Sequence, residues 1–255
     1  MGLIRAAVSA VGGSLADQWL EVVQAEDMDN STILVRGITV PTGSKRSRKA
    51  SANVISNGST IYVEENQCMI LTDGGNIVDY SAEPGYYTVQ ASSSPSLFNG
   101  QFGDALKDTF SRIKTGGGTS GKQEVFYINL QEIRDIPFGT PSPLNYFDQF
   151  YNAELFLRAN GFYSIRVSNP LKFYGEMGTR DGARITIDSF QKSCWSEFLT
   201  AFQTSITEMS AQGMRISHVG AKSIELAKEM AEVLDADWEQ RRGMQIESVG
   251  INSIS

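Results

Sequence analysis

The sequence predicts an α+β fold: an antiparallel, β-rich domain, then two amphipathic helices and a closing strand, with an amphipathic helix at the N-terminus. Three observations carry this reading. Apolar residues recur at three- and four-residue spacing near the N-terminus and again from about Ile185 to Arg242. Between those stretches lie short runs rich in Ile, Val, Tyr, Phe and Thr. Glycine, proline and aspartate cut the runs at short intervals, as turns between strands do.

Composition limits what such a fold does. Apolar residues are 41% and charged residues 20% of the 255, the range of an ordinary packed protein. The formal charge of −7 argues against a nucleic-acid binder, which needs a surplus of Lys and Arg to neutralise phosphates. Cys68 and Cys194 stand far apart without a CxxC partner, so neither a metal site nor a disulfide framework is expected and a reducing compartment fits. No apolar run is long enough for a spanning helix, and the first residues lack the layout of a secretory signal.

At the N-terminus, Leu3, Ile4, Ala7, Val8 and Val11, then Leu15, Trp19, Leu20 and Val23, share a helical period on either side of Gly12-Gly13. A terminal helix this apolar needs a surface, either a membrane interface or its own domain or a neighbouring subunit. Leu3, Ile4, Val8, Val11, Leu15 and Trp19 are the candidate lipid contacts. Myristoylation is not indicated, because Ala6 stands where the acylation motif requires Ser or Thr. A basic loop follows, with Lys45, Arg46, Arg48 and Lys49 as the concentrated positive patch of an acidic chain. It reads as a solvated loop, or as an added attraction if it faces anionic lipid.

The runs TILVRGITV, STIYV, QCMILT, NIVDY, YYTV, EVFYINL, AELFLRA and YSIRV are expected strands, all antiparallel. Asp73-Gly74-Gly75 predicts a tight hairpin between QCMILT and NIVDY, and Pro84-Gly85 a turn that continues a meander into YYTV. Ile187, Phe190, Cys194, Phe198, Phe202, Ile206 and Met209 predict one helix, ended by Gly213. Ile224, Ala227, Ala231, Leu234 and Trp238 predict the next, ended by Gly243. Met244, Ile246, Val249 and Ile251 change phase of alternation, so the last strand is expected to carry a bulge near Gly250.

Catalytic motifs fail on context. Gly116, Gly121 and Lys122 have the spacing of a phosphate-binding loop, but the predicted helix GDALKDTFSRIK precedes the glycines and a strand follows. That order is the reverse of what places a helix N-terminus on phosphate, and Gln123 occupies the magnesium-binding hydroxyl position. A connector explains the segment. A Cys194–His218 nucleophile is disfavoured because Cys194 lies on an apolar helical face. Glu64, Glu65, Asp79 and Glu83 read as solvated charges at strand edges and turns, and no metal, cofactor or catalytic residues are assigned.

The order of these elements resembles the start and course of an SPFH domain, the family of stomatin, prohibitin, flotillin and HflK/C. The resemblance rests on STIYVEENQCMILTDGGNIVDYSAEPGYYTV, on FLRANGFYSIRVSNPLKFY with its turn at Val167 to Pro170, and on the closing RGMQIESVGINSIS. MGLIRAAVSAVGGSLADQWLE, ISNGS and FGTPSPL look most like the bacterial YdjI-like, or virion-core-protein-like, subgroup. The resemblance implies a non-catalytic, self-assembling scaffold, peripheral to the cytoplasmic face of a bacterial cell membrane. It implies a homo-oligomer, lipid contact through the N-terminal segment, and PspA-type or integral membrane partners in envelope stress. The alternative is a soluble oligomeric adaptor whose N-terminal helix docks on protein. The expected division is an N-terminal helix over 1–25, a β-rich subdomain over 26–180 with a Gly-rich insertion at 92–123, and a helical subdomain with the closing strand over 181–255. The resemblance also implies a coiled coil or tail, able to hold a zinc ribbon, beyond Ser255.

Overall fold

The computed structural model describes residues 4–6, 21–41, 55, 59–89, 123–178 and 184–255. In chain order the elements are β1 (Ile4–Ala6), β2 (Glu21–Ala25), β3 (Thr32–Pro41), β4 (Thr60–Val63), β5 (Gln67–Asp73), β6 (Asn76–Ser81), β7 (Gly85–Val89) and β8 (Gln123–Asn129). There follow β9 (Ile133–Gly139), β10 (Leu144–Asp148), β11 (Ala153–Leu157), β12 (Ala159–Val167), α1 (Pro170–Met177) and β13 (Ile185–Thr186). The C-terminal elements are α2 (Ile187–Ala211), α3 (Ile216–Val219), α4 (Ser223–Leu234), a π-helical stretch over Asp235–Arg241, and β14 (Met244–Ile254). This is the α+β architecture the sequence predicts.

Contacts gather the chain into two compact units that interleave along it. One holds Met1–Gln131 with Asn169–Thr186, the other Glu132–Ser168 with Ile187–Ser255. The sequence reading instead divides it into consecutive blocks, at 25/26 and 180/181.

The first unit is built on one sheet in the order β1-β7-β4-β2-β3-β8-β5-β6, with β13 also on β3. β3 is the hinge of this sheet: Leu34, Val35 and Arg36 pair with β8, while Gly37 through Pro41 pair with β2. At Gly37 a Cβ would lie 2.9 Å from Val23 Cγ1 and 3.1 Å from Tyr127, so only glycine lets the layers close here. Val23, Val35, Ile61, Val63, Met69, Leu71, Val89 and Val125 fill the core between them. Tyr127 crosses that core, its hydroxyl 3.0 Å from the Val23 carbonyl and 2.9 Å from that of Tyr62. A buried hydroxyl needs such acceptors, and these two tie β8 to β2 and β4. Every residue of β5 is buried, because α1 covers another face of the unit with buried Leu171 and Phe173, and with Tyr174 5.0 Å from Phe126. Asn169 caps α1, its Oδ1 accepting from Lys172 N at 3.1 Å, with Pro170 in the first turn. The Val167 to Pro170 turn is therefore a strand end followed by a helix start.

Several local expectations hold. Gly74 and Gly75 form the two-residue β5–β6 turn at φ 58° and 85°, and Asp73 faces Asn76. Others need correction. Ile4–Ala6 and Glu21–Ala25, expected in a helix, are strands, because β1 pairs with β7 and β2 with β3. The rest of the expected N-terminal helix lies outside the described residues. β7 does not continue the β5–β6 meander but pairs with β4 and β1. β2 and β4 run parallel through Val22–Thr60 and Val23–Ile61, so the sheet is not wholly antiparallel. Asp79, expected as a solvated charge, is fully buried in β6, where its Oδ1 accepts from Tyr80 N at 2.9 Å.

In the second unit β12 lies between β9 and β14. β14 is bulged at Glu247 and Asn252, each skipped in its pairing with β12, close to the bulge expected near Gly250. A Cβ on Gly161 would meet the Gly250 carbonyl oxygen at 1.9 Å, so β12 needs glycine where β14 approaches it. α2 buries Phe190, Cys194, Phe198, Phe202, Ile206 and Met209 of the predicted stripe, with Ile187 half-buried at its start, and Gly213 follows the helix at φ 79°. α4 departs from its predicted stripe: Leu226, Ala227, Met230 and Leu234 are buried, whereas Ile224 is 84% exposed.

Candidate functional site

Among the sequence-level candidates, Leu3, Val8, Val11, Leu15 and Trp19, the basic residues Lys45, Arg46, Arg48 and Lys49, and Gly116 through Lys122 lie outside the described residues. The backbone of Ile4 is in β1. Of the phosphate-loop context only the strand after it is described, as β8. Cys194 faces inward on α2, where burial pushes its thiol up to about 11, so it is a thiol at neutral pH. His218 is exposed on α3. No group of three or more His, Cys, Asp or Glu among the described residues is placed to hold a metal ion.

What the second unit does assemble is a surface, built on the β10–β11 hairpin. Strand alternation turns Tyr146 and Asp148 inward and leaves Phe147 and Phe156 exposed. Asp148 organises the turn: its Oδ1 accepts from Phe150 N at 2.9 Å and Tyr151 N at 3.3 Å, and its Oδ2 from Ile216 N at 2.9 Å. These N–H donors, Ile216 first, hold its carboxyl below the usual value, with Arg215 adding a Coulombic contribution. Tyr146 donates to the Met214 carbonyl at 2.5 Å, Ser210 Oγ to that of Phe147 at 2.7 Å, and Gln149 reaches the Ser210 carbonyl at 3.3 Å. The hairpin is thus stitched by polar groups to the end of α2 and the start of α3, while Phe150 and Tyr151 project from the turn. Neither strand nor helix periodicity singles out this feature. The aromatic density of NYFDQFYNAELF was its signal.

A second organised cluster is structural. Arg242, nearly buried, makes a bidentate pair with Glu197 at 2.6 and 2.8 Å, and Trp238 Nε1 donates to the same carboxylate at 2.8 Å. The Arg242 hydrogen bonds, helped by Trp238 and opposed by burial, hold the Glu197 carboxyl below its ordinary value. Residues four apart in the π-helical stretch and its cap thereby close on α2.

Comparison with known families matches residues 47–255 to the SPFH domain-Band 7 family. The chain belongs to that family. Its SPFH domain takes in β4 through β14, and the family is one of membrane-associated scaffolds, generally without catalysis. No helix among the described residues is long and apolar enough to cross a membrane. None of the curated proteins compared matches the chain.

Proposed function

We propose that this SPFH protein is a non-catalytic, self-assembling scaffold held peripherally on the cytoplasmic face of a bacterial membrane. It gathers membrane or envelope-stress partners there, PspA-type proteins among them, in the manner of the YdjI-like subgroup. The observation that carries the reading is the family match, which extends from residue 47 to residue 255. Lipid contact is assigned to the N-terminal segment through Leu3, Ile4, Val8, Val11, Leu15 and Trp19, whose apolar character suits a bilayer interface. Lys45, Arg46, Arg48 and Lys49 add attraction to anionic headgroups, each on the order of 1 kcal/mol when near the surface.

One observation favours a second reading, the soluble oligomeric adaptor. Ile4, Arg5 and Ala6 pair with Val89, Thr88 and Tyr87, so part of the N-terminal segment docks on its own sheet. Deleting residues 2–24 would remove β1 and most of β2, so the test uses charge instead: Val11→Asp, Leu15→Asp and Trp19→Asp in one chain. Liposome flotation is expected for the unaltered chain and lost in this variant. Equal flotation of both would remove the N-terminal lipid anchor. Failure of both to float, together with amide protection of the segment in lipid-free solution, would establish the adaptor.

A further inference from the structure

The scaffold reading leaves the outer face and tip of the β10–β11 hairpin without a role. Phe147 is 42% exposed, Phe150 57%, Tyr151 64% and Phe156 69%, four large aromatic side chains on one short hairpin. Alternation explains only part of this. Phe147 stands opposite Glu154 and Phe156 opposite Asn145, so the outward face mixes apolar with polar as a solvated strand pair does. Phe150 and Tyr151 belong to no strand. They project from a turn whose backbone Asp148 fixes through two N–H bonds. The rings are therefore presented on an organised turn, which lowers the entropy lost when they enter another phase.

A cation accompanies them. Arg215 Cζ lies 3.5 Å over the Phe150 ring, and among the described residues no ion pair within salt-bridge distance holds its guanidinium. Aromatic rings beside a guanidinium match the phospholipid interface, where rings sit at headgroup depth and phosphates accept from arginine.

We propose that this hairpin tip is a lipid-contact site in its own right, placing Phe150 and Tyr151 in the interfacial zone of a phospholipid bilayer with Arg215 at the phosphates. The inference rests on the membrane-scaffold reading and adds a contact to it. Area decides between lipid and a protein partner. At about 200 Å² per aromatic side chain, the four rings expose about 450 Å², roughly half of the 800 Å² that each side of a stable protein interface buries. A lipid contact needs no such area, because a scaffold of many copies multiplies weak insertions. Glu154 shares the outward face, so net charge contributes little beyond Arg215 and the rings dominate.

The test uses the full chain with Tyr151→Cys carrying an environment-sensitive fluorophore. Cys68 and Cys194 are buried, which directs the reagent to position 151. With vesicles of phosphatidylcholine and phosphatidylglycerol, the label is expected to shift to the blue and to be quenched by spin-labelled lipid. Phe150→Ser with Tyr151→Ser is expected to lower vesicle partitioning about tenfold. Arg215→Gln is expected to lower it about fivefold on these vesicles and less on phosphatidylcholine alone. Flotation without any shift of the label overturns the hairpin contact and leaves the scaffold reading standing. Flotation retained in the N-terminal charge variant, together with the shift of the label, overturns the N-terminal anchor and supports the hairpin. A shift that appears on concentrating the protein without vesicles assigns the tip to a protein partner and overturns the proposal.

Discussion

Two groups of aromatic residues in the second unit have similar chemistry and opposite fates. Phe138, Tyr163, Phe198 and Phe202 are buried, with ring centroids 4.3 Å apart for Tyr163 and Phe198 and 5.2 Å for Phe138 and Phe202. Phe147, Phe150, Tyr151 and Phe156 are exposed on the hairpin. The first group comes from β9, β12 and α2, elements distant in sequence, and each ring fills space left by the others. The second comes from fourteen consecutive residues, Leu144 to Leu157, whose inward positions are taken by Tyr146, Asp148 and Leu157. Aromatic content by itself does not decide burial. What decides it is whether a distant element supplies a complementary face.

Phe198→Ala should show the largest effect, a loss of roughly 3–5 kcal/mol in denaturant unfolding, because the cavity would open among rings already in contact. A loss under 1 kcal/mol would mean that this cluster is not a packed core, and the comparison would break.

Glu197→Gln should cost about 2 kcal/mol, since it weakens the bonds to nearly buried Arg242. This variant also sharpens the comparison through pH. The folded carboxyl of Glu197 lies below its unfolded value, so its stabilisation is fully present above the unfolded value of about 4.3 and fades as pH falls through the folded value. Urea midpoints measured from neutral to acid pH should therefore converge for the two proteins. A gap that stays constant into strong acid would remove the ion pair as its cause.

The smallest stability effect belongs to Phe156→Ser, within about 0.5 kcal/mol, as for an exposed site whose ring packs on little. A loss of 2 kcal/mol or more in thermal or urea unfolding would show that the hairpin face is covered, and the contrast would vanish.

Much of the fold is legible in the sequence. Gly74-Gly75 specifies its hairpin because positive φ at both positions leaves few alternatives. α2 is legible because Phe190, Cys194, Phe198 and Phe202 keep one period over several turns. β1 is not, since three residues such as Ile4–Ala6 fit either period and their state depends on a partner some eighty residues away. The parallel β2–β4 pair and the detour of β7 are equally tertiary: local spacing does not report which edge a strand joins. Ile224 shows the limit on helices, where Ala227 and Leu234 keep the predicted stripe but Leu226 and Met230 are buried in place of exposed Ile224. As for the candidate surface, the hairpin strand AELFLRA is legible, whereas the turn that presents Phe150 and Tyr151 is held by Asp148, whose carboxylate also accepts from Ile216 N, sixty-eight residues away in sequence.

The interleaving of the two units has a consequence for proteolysis. The chain passes between them at Gln131–Glu132, Ser168–Asn169 and Thr186–Ile187. A single nick at any one of these crossings leaves two covalent tethers between the units, so one cut frees neither. Limited digestion should accordingly yield nicked species that co-migrate under native conditions and separate only in denaturant.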